Sequence, residues 1–257
     1  MAVEQAARTL GLPIRAARFL AQVSTFRVLG LSPVWLALYT AELHLDRRFW
    51  GYLQSQIRAA QAASPNRPPG GWLSFAAGSV LYTLMRLEKP QTVIETGVGP
   101  GASSAFILDG LRRNLTGTLY SIDLPVEGPT GPQSSKNVHV PPGFGTGWLV
   151  PPWLRGRWRL VMGDVRTELP ALVADLGTLD IFLHDSLHTD EQVRFGLTTV
   201  FGAIRPGGFI LADDVNPRYS LAFVDFCREL GLPFVVFRNR LGVARKTDAP
   251  KKSGMDK

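Results

Sequence analysis

The stretch VIETGVGPGASSAFIL, residues 93–108, decides how the rest of the chain is interpreted. An apolar run is followed by a glycine-rich turn and by a second apolar segment, the order expected of a buried strand, a tight turn and a helix. Gly97, Gly99 and Gly101 permit backbone conformations and close approaches that side chains block. The stretch therefore predicts a turn built to hold a ligand.

A regular alternation of strands and helices begins at this point. The pattern predicts an α/β fold with a Rossmann-like, seven-stranded and mainly parallel sheet. Only Asn239 and Arg240 separate the last two strands, so the final strand is expected to be antiparallel. The predicted strands are 92–96, 118–123, 159–164, 179–185, 207–214, 233–238 and 241–246, and the predicted helices are 74–87, 103–113, 165–176, 189–204 and 220–230.

Acidic residues follow nearly every predicted parallel strand. Open α/β sheets bind ligands outside the carboxyl ends of their strands, where the strand order reverses. Helix N-caps would account for one or two of these acids, but not for five consecutive strands. The set therefore predicts a carboxylate-lined ligand site at one edge of the sheet, formed by Glu95, Asp123, Asp164, Asp185, Asp213 and Asp214.

The spacing of the glycines alone leaves several ligands open. Gly97, Gly99 and Ala102 fit the dinucleotide fingerprint, with Asp123 placed for a ribose hydroxyl. Glu95, however, would repel a pyrophosphate and attract a cation. The closing hairpin also lies outside the two-halves dinucleotide architecture, and no lysine follows the turn as in a phosphate loop.

The motifs ETGVGPG, SID and GD, together with the final hairpin, resemble class I S-adenosylmethionine-dependent methyltransferases. Three further segments, GTGWLVPPWLRGRWRLVMGD, LDIFLHDSLHTDEQV and IRPGGFILADDV, are similar to the small-molecule branch that includes the cephalosporin-biosynthesis and catechol-type O-methyltransferases. The resemblance covers residues 75–246. It implies an enzyme that transfers a methyl group from S-adenosylmethionine to a small-molecule hydroxyl.

The resemblance also implies cofactor contacts at matching positions. Residues near the methionine part would be Glu95, Gly97 and Gly99, with Ser103 and Ser104 at the helix start. Asp123 would accept both ribose hydroxyls, since one carboxylate has two acceptor oxygens. Asp164 and Val165 would lie beside the adenine.

Candidate groups for the chemistry follow the later strands. Asp185, Asp213 and Asp214 offer hard oxygen ligands for Mg²⁺, which would bind the acceptor oxygen and lower its pKa. His188 is the candidate general base or additional ligand, with Asp185 beside it. His184 should point away from Asp185 and is interpreted as a structural histidine.

The chain divides into three parts by composition, and the second part contains an insertion. Residues 1–73 form a predicted helical extension with helices over 3–30 and 33–63, residues 74–246 the methyltransferase-like domain, and residues 247–257 a flexible tail. Within the domain, the Pro- and Gly-rich insertion 125–158 is a candidate lid. Either Phe144 and Trp148 line the acceptor site, or Trp148, Trp153 and Trp158 anchor the loop to the body.

Charge and composition limit the partners. The net charge is +7, of which +6 lies in residues 1–90. One cysteine, no membrane-spanning segment and no signal peptide predict a cytoplasmic protein, and the aromatic N-terminal helices make a homodimer plausible. The acidic strand ends argue against nucleic acid. An RNA methyltransferase, a non-catalytic cofactor-binding scaffold and, more remotely, a nicotinamide dehydrogenase stay open as alternatives.

Overall fold

The computed structural model describes residues 24–66, 69–70, 73–125 and 140–247. Most of the predicted helix 3–30, most of the predicted tail and the first half of the insertion lie outside the described residues. Residues 25–29, the described end of the predicted first helix, form a short 3₁₀ turn rather than an α-helix.

The described residues form a seven-stranded sheet with the strand order β3-β2-β1-β4-β5-β7-β6. Strands β1 to β5 pair in parallel, while β7 lies between β5 and β6 and is antiparallel to both. The predicted fold class is thus confirmed. The strands are β1 Thr92–Thr96, β2 Thr118–Asp123, β3 Trp158–Met162, β4 Leu179–His184, β5 Ile204–Ala212, β6 Phe234–Phe237 and β7 Leu241–Arg245.

The turn between the last two strands is one residue longer than predicted. Strand β6 ends at Phe237, so Arg238, Asn239 and Arg240 form the connection. Arg238 and Asn239 have φ angles of 51° and 53°, and the Arg240 N–H bonds the Phe237 carbonyl at 3.1 Å. Two left-handed residues in succession match the tight turns that join twisted antiparallel strands.

The helices agree with the sequence pattern except at their ends. The predicted helix 33–63 divides at Asp46, whose side chain accepts the Phe49 N–H at 2.9 Å and starts a new helix. The predicted helix 189–204 ends earlier, because Ile204 opens β5. The helices are α1 Pro33–Leu45, α2 Arg47–Ala63, α3 Phe75–Glu88, α4 Ala102–Asn114, α5 Val165–Leu176, α6 Asp190–Phe201 and α7 Ala222–Glu229.

The N-terminal helices pack onto the α/β body. Phe49 of α2 is buried and its ring lies 5.3 Å from that of Phe106 in α4. Glu42 of α1 accepts a hydrogen bond from the Tyr82 hydroxyl at 2.9 Å and pairs with Arg113 at 3.1 Å. At least one aromatic side chain of the N-terminal helices, that of Phe49, therefore belongs to the core. None of the described helices is both long and apolar enough to cross a membrane.

Candidate active site

The candidate site lies where the strand order reverses. From β1 the chain proceeds outward through β2 and β3, and then returns to β4 on the other side of β1. The carboxyl ends of β1 and β4 thus flank the switch point at which open α/β sheets bind ligands. The predicted acids Glu95, Asp123, Asp185, Asp213 and Asp214 belong to the strand ends around this point.

Two glycines of the turn after β1 leave no room for a side chain. Gly97 has a φ of +84°, and a Cβ atom there would lie 2.1 Å from the carbonyl oxygen of Asp185. Gly101 is also left-handed, with a φ of +86°, and a Cβ there would lie 2.8 Å from the Cα of Gly147. Backbone therefore packs on backbone at this turn, as the glycine pattern predicted.

Glu95 is a fully buried carboxylate at the end of β1. The hydroxyls of Ser104 and Ser121 donate to its Oε2 at 2.6 and 2.7 Å. Its Oε1 accepts no hydrogen bond within the described residues. Burial raises the pKa of Glu95 to about 6, although serine hydroxyls, including that of Ser103, stabilise the charged form. A carboxylate of this kind is costly to bury and is poised to receive a cationic or hydrogen-bonding group.

Asp123 ends β2 and fastens the glycine turn. Its Oδ2 accepts the Gly99 N–H at 2.9 Å, and its Oδ1 accepts the Leu124 N–H at 3.0 Å. Burial raises the pKa of Asp123, an effect that these backbone donors oppose. Each oxygen retains acceptor capacity beyond the one bond, so a ribose role is compatible with this geometry.

Asp164 and Val165 lie at the start of α5, beyond β3. The Asp164 carboxylate accepts the Arg166 N–H at 2.7 Å and is exposed, so it acts as the N-cap of α5. Val165 is buried against the core. Their expected position beside an adenine stays a prediction.

The described second half of the insertion is attached to the glycine turn. The N–H groups of Gly147 and Leu149 donate to the carbonyls of Gly99 and Pro100, both at 2.8 Å. Trp148 is buried, with its ring 5.2 Å from that of Phe144. Within the described residues, this arrangement favours the anchoring role for Trp148 over a role in lining the acceptor site.

Trp158 extends the hydrogen-bond network of Glu95 to the insertion. Its indole N–H donates to the Ser121 hydroxyl at 2.9 Å, and that hydroxyl in turn donates to Glu95. The Trp158 ring also fills the space against Gly147, where a Cβ would lie 2.3 Å away. Sequence reasoning assigned neither Ser121 nor Trp158 to the site, although they lie in the quoted segments SID and GTGWLVPPWLRGRWRLVMGD, because no spacing rule predicts the hydrogen bond between them.

His188 lies among the carboxylates that follow β4 and β5. Its Nε2 is 3.6 Å from Asp214 and 4.0 Å from Asp185. Burial lowers the pKa of His188, against the attraction of Asp214 and Asp213. Asp185 is buried as well, and its burial, together with the nearby acidic groups of Asp213, Glu95 and Asp214, raises the pKa of Asp185 well above its usual range. His188 is thus placed as a neutral imidazole with carboxylates ready to stabilise its protonated form.

His184 is structural, as its position on the strand predicted. It is fully buried, and its ring nitrogens lie 3.4 Å from the Thr96 hydroxyl and 3.3 Å from the Leu187 carbonyl. Burial lowers the pKa of His184 to about 3, so the ring is neutral at physiological pH.

Arg240 occupies the predicted metal site, and sequence reasoning did not identify it. Its Nε lies 3.0 and 3.2 Å from the two Asp213 oxygens, and its Nη2 lies 2.9 Å from Asp213 and 3.3 Å from Asp214. Within the described ranges, no group of three or more His, Cys, Asp or Glu side chains is arranged to hold a metal. Asp185, Asp213 and Asp214 do not form the predicted Mg²⁺ site here, because a guanidinium already engages both oxygens of Asp213.

A cavity of about 250 Å³ lies between α1, α3 and the end of β6. Phe237 and Arg238 form one wall, so the cavity adjoins the β6–β7 turn, which also carries Arg240. The cavity therefore lies toward the edge of the sheet at which β5 ends. Its surface is mainly apolar, with a few hydroxyls and one imidazole. The remaining lining residues are Phe26, Leu36, Thr40, His44, Phe75, Ala76, Ser79, Val80 and Thr83.

Comparisons with known proteins agree with this architecture. Residues 94–215 match the family model described as a methyltransferase domain. A Mycolicibacterium vanbaalenii protein named "Putative O-methyltransferase" is 31% identical over 145 residues, which are 55% of this chain and 54% of that protein. A Mycobacteroides abscessus protein of the same name is 29% identical over 141 residues, 55% of this chain and 57% of that protein. The chain thus spans about half the length of the curated relatives it matches.

Two solved structures share the fold. The O-methyltransferase TomG from Streptomyces achromogenes, solved with S-adenosylmethionine, superposes with a TM-score of 0.55 at 17% identity, covering 83% of this chain and 97% of that one. The Podospora anserina methyltransferase PaMTH1, solved with S-adenosylhomocysteine, gives a TM-score of 0.53 at 15% identity, covering 77% and 88%. At these identities the likeness concerns the fold alone.

Proposed function

We propose that the chain transfers a methyl group from S-adenosylmethionine to a hydroxyl of a small molecule, because residues 94–215 match the family model described as a methyltransferase domain and the sheet has the strand order β3-β2-β1-β4-β5-β7-β6. One observation carries the proposal. The glycine turn at the switch point is fixed by Asp123 and bordered by Glu95, a buried carboxylate with an oxygen that accepts no hydrogen bond within the described residues. A carboxylate-lined cleft suits a cationic sulfonium ligand that also carries a ribose.

The residues present fit S-adenosylmethionine. When bound, this cofactor supplies a methyl group activated by its positive sulfur. Glu95, Gly97 and Gly99 would hold its amino-acid part, with Ser103 and Ser104 supporting Glu95. Asp123 would hold its ribose, while Asp164 and Val165 would lie beside the adenine. The named O-methyltransferase relatives and the cofactors bound to TomG and PaMTH1 support this assignment.

His188 is proposed as the general base, with Asp185 as its partner. A hydroxyl acceptor must lose its proton during transfer, and a neutral imidazole can take it. Burial keeps His188 in that neutral form, and Asp214 at 3.6 Å would stabilise the imidazolium that results, while Asp185 lies 4.0 Å from the same ring nitrogen. The remaining requirement is alignment of the acceptor with the methyl group, which is a matter of position.

The cavity beside the β6–β7 turn is proposed as the acceptor site. A cavity of 150 Å³ lined by apolar side chains holds benzene, so about 250 Å³ has room for one substituted ring. The hydroxyls of Thr40, Ser79 and Thr83 donate to carbonyls of their own helices at 2.7–3.0 Å. The lone pairs of these three hydroxyl oxygens can therefore accept hydrogen bonds from the small molecule that would receive the methyl group.

The proposal is tested by measuring S-adenosylhomocysteine release with a panel of small phenols, alcohols and amines. We expect turnover with one or more hydroxyl acceptors, reduced by His188→Gln without loss of S-adenosylmethionine binding. Turnover with amines alone would contradict O-methylation. Tight NADH binding without S-adenosylmethionine binding would instead support a dehydrogenase.

The other candidate functions have less support. An RNA methyltransferase would need a basic surface beside the cleft, whereas Glu95, Asp123, Asp185 and Asp214 surround the switch point. A non-catalytic cofactor-binding scaffold would keep the glycine turn but would have no need of a histidine beside two carboxylates. Both alternatives predict no methylation of small molecules, so the same panel separates them from the proposal.

Association and location complete the proposal. A homodimer through the N-terminal helices is supported by an apolar face of α1, where Val34, Trp35 and Leu38 are each more than half exposed. Light scattering of the purified chain and of Trp35→Ser would measure it. A cytoplasmic location is supported only by the single cysteine, Cys227, and fractionation of the source cells would test it.

A further inference from the structure

The carboxylates after β4 and β5 would ordinarily attract a cation. Asp185, Asp213 and Asp214 lie at the ends of neighbouring strands, and Asp213 is almost completely buried, with a side-chain exposure of 1%. A buried carboxylate without a positive partner is strongly unfavourable. The protein can meet this cost by protonating a carboxyl, by binding a cation or by supplying one from its own chain.

Arg240 supplies the positive charge from within the chain. Its Nε and Nη2 form four contacts of 2.9–3.3 Å with Asp213 and Asp214. Because both oxygens of Asp213 are engaged by a guanidinium, a second cation at that carboxylate would meet direct repulsion. The geometry resembles the bidentate pairing in which arginine matches a carboxylate.

The backbone holds Arg240 in this place. The tight turn at Arg238 and Asn239 ends at Arg240, whose carbonyl accepts the Val215 N–H at 2.7 Å. Val215 comes next in the sequence after Asp213 and Asp214. The hydrogen bond therefore connects the loop after β5 to the β6–β7 turn. The turn thus aims the guanidinium at the cluster, and the arrangement does not depend on a flexible surface side chain.

We infer that the Arg240 guanidinium is the built-in cation of this site and takes the place that a divalent metal ion would otherwise fill. The inference goes beyond the proposed function, since it concerns cation binding and holds whether or not the chain transfers methyl groups. It also implies that any methyl transfer proceeds without an added metal, with Arg240 as a positioning residue that fixes Asp213 and Asp214.

The test is titration with Mn²⁺, read by the loss of its free electron paramagnetic resonance signal. The wild-type protein is expected to show no saturable binding at millimolar Mn²⁺. Arg240→Met, which removes the charge and keeps an unbranched side chain, is expected to bind one Mn²⁺, and the additional change Asp213→Asn should abolish that binding. Arg240→Lys is the matched control and should exclude the metal as the wild type does.

Thermal unfolding provides a second readout in the same samples. Arg240→Met should have a lower Tm than the wild type, and Mn²⁺ should raise that Tm again while leaving the wild-type Tm unchanged. If Arg240→Met does not fold, Arg240→Gln serves in its place. Stoichiometric Mn²⁺ binding by the wild type that Asp213→Asn abolishes would overturn the inference. So would a folded Arg240→Met or Arg240→Gln that binds no Mn²⁺.

Discussion

Replacing Glu95 by glutamine should stabilise the protein in a pH-dependent way. Burial raises the pKa of Glu95 from 4.5 to about 6. A raised pKa means that the folded state disfavours the charged carboxylate, so folding carries a penalty above pH 6 that disappears below pH 4.5. One pKa unit corresponds to 1.36 kcal/mol, which makes the penalty about 2 kcal/mol.

Glutamine keeps the size of the side chain and a carbonyl oxygen for the Ser104 and Ser121 hydroxyls, but it has no charge to bury. The increase in the free energy of unfolding that Glu95→Gln causes, relative to the wild type, should therefore be about 2 kcal/mol larger at pH 8 than at pH 4.5. Urea unfolding at the two pH values measures the difference, and the comparison cancels pH-independent changes in packing or hydrogen bonding.

A matched control is Asp175→Asn, which removes an exposed carboxylate of α5 and should show little such dependence. A Glu95→Gln difference that is the same at both pH values would refute the reasoning, because the pKa of Glu95 would then not be raised in the folded state. The variant should also lose affinity for S-adenosylmethionine, as expected when a functional site is kept at a cost in stability.

Three further changes test the site. Gly97→Ala should lower the free energy of unfolding by about 2–5 kcal/mol, since its left-handed backbone costs about 1–2 kcal/mol and the overlap with a carbonyl oxygen adds about 1–3 kcal/mol. Gly143→Ala, with a similar φ and open space, should lose only the first part in the same denaturant titration. Trp158→Phe removes the hydrogen bond to Ser121, worth about 1 kcal/mol, and calorimetry should show roughly fivefold weaker cofactor binding; unchanged affinity would mean that the insertion does not support the site. His188→Gln should reduce turnover by about 10²–10⁴-fold and remove the fall in kcat/KM expected at acidic pH, which the lowered pKa of His188 places below the usual range of a histidine. A fall that persists in the variant would assign it to another group.

Local sequence signals sufficed for the fold. Apolar runs bounded by Gly, Pro and acidic residues set each strand of the α/β body to within about three residues, and α5 matches its prediction at both ends. The errors occurred where one side chain decides a boundary. Asp46 caps a new helix inside an apolar pattern that continues through it, and Ile204 belongs to a strand although its spacing also suits a helix.

The candidate site was only partly accessible from sequence. Gly97, Glu95 and Asp123 can be identified from the sequence by their residue type and by their position at or just after the end of a strand. Arg240, by contrast, lies 27 residues from Asp213, and its contacts arise from the tight turn and the antiparallel insertion of β7. No spacing rule links two such positions, so a pattern of carboxylates was interpreted as a metal site when the cation was already present in the chain.

Binding of S-adenosylmethionine at the glycine turn is the central property to measure. Isothermal titration calorimetry of the purified chain, of Asp123→Ala and of Asp175→Asn would measure this binding with and without a chelator. We predict saturable binding of one equivalent by the wild type and by Asp175→Asn, unaffected by the chelator, and loss of binding in Asp123→Ala. Absence of binding by the folded wild-type chain would contradict the account.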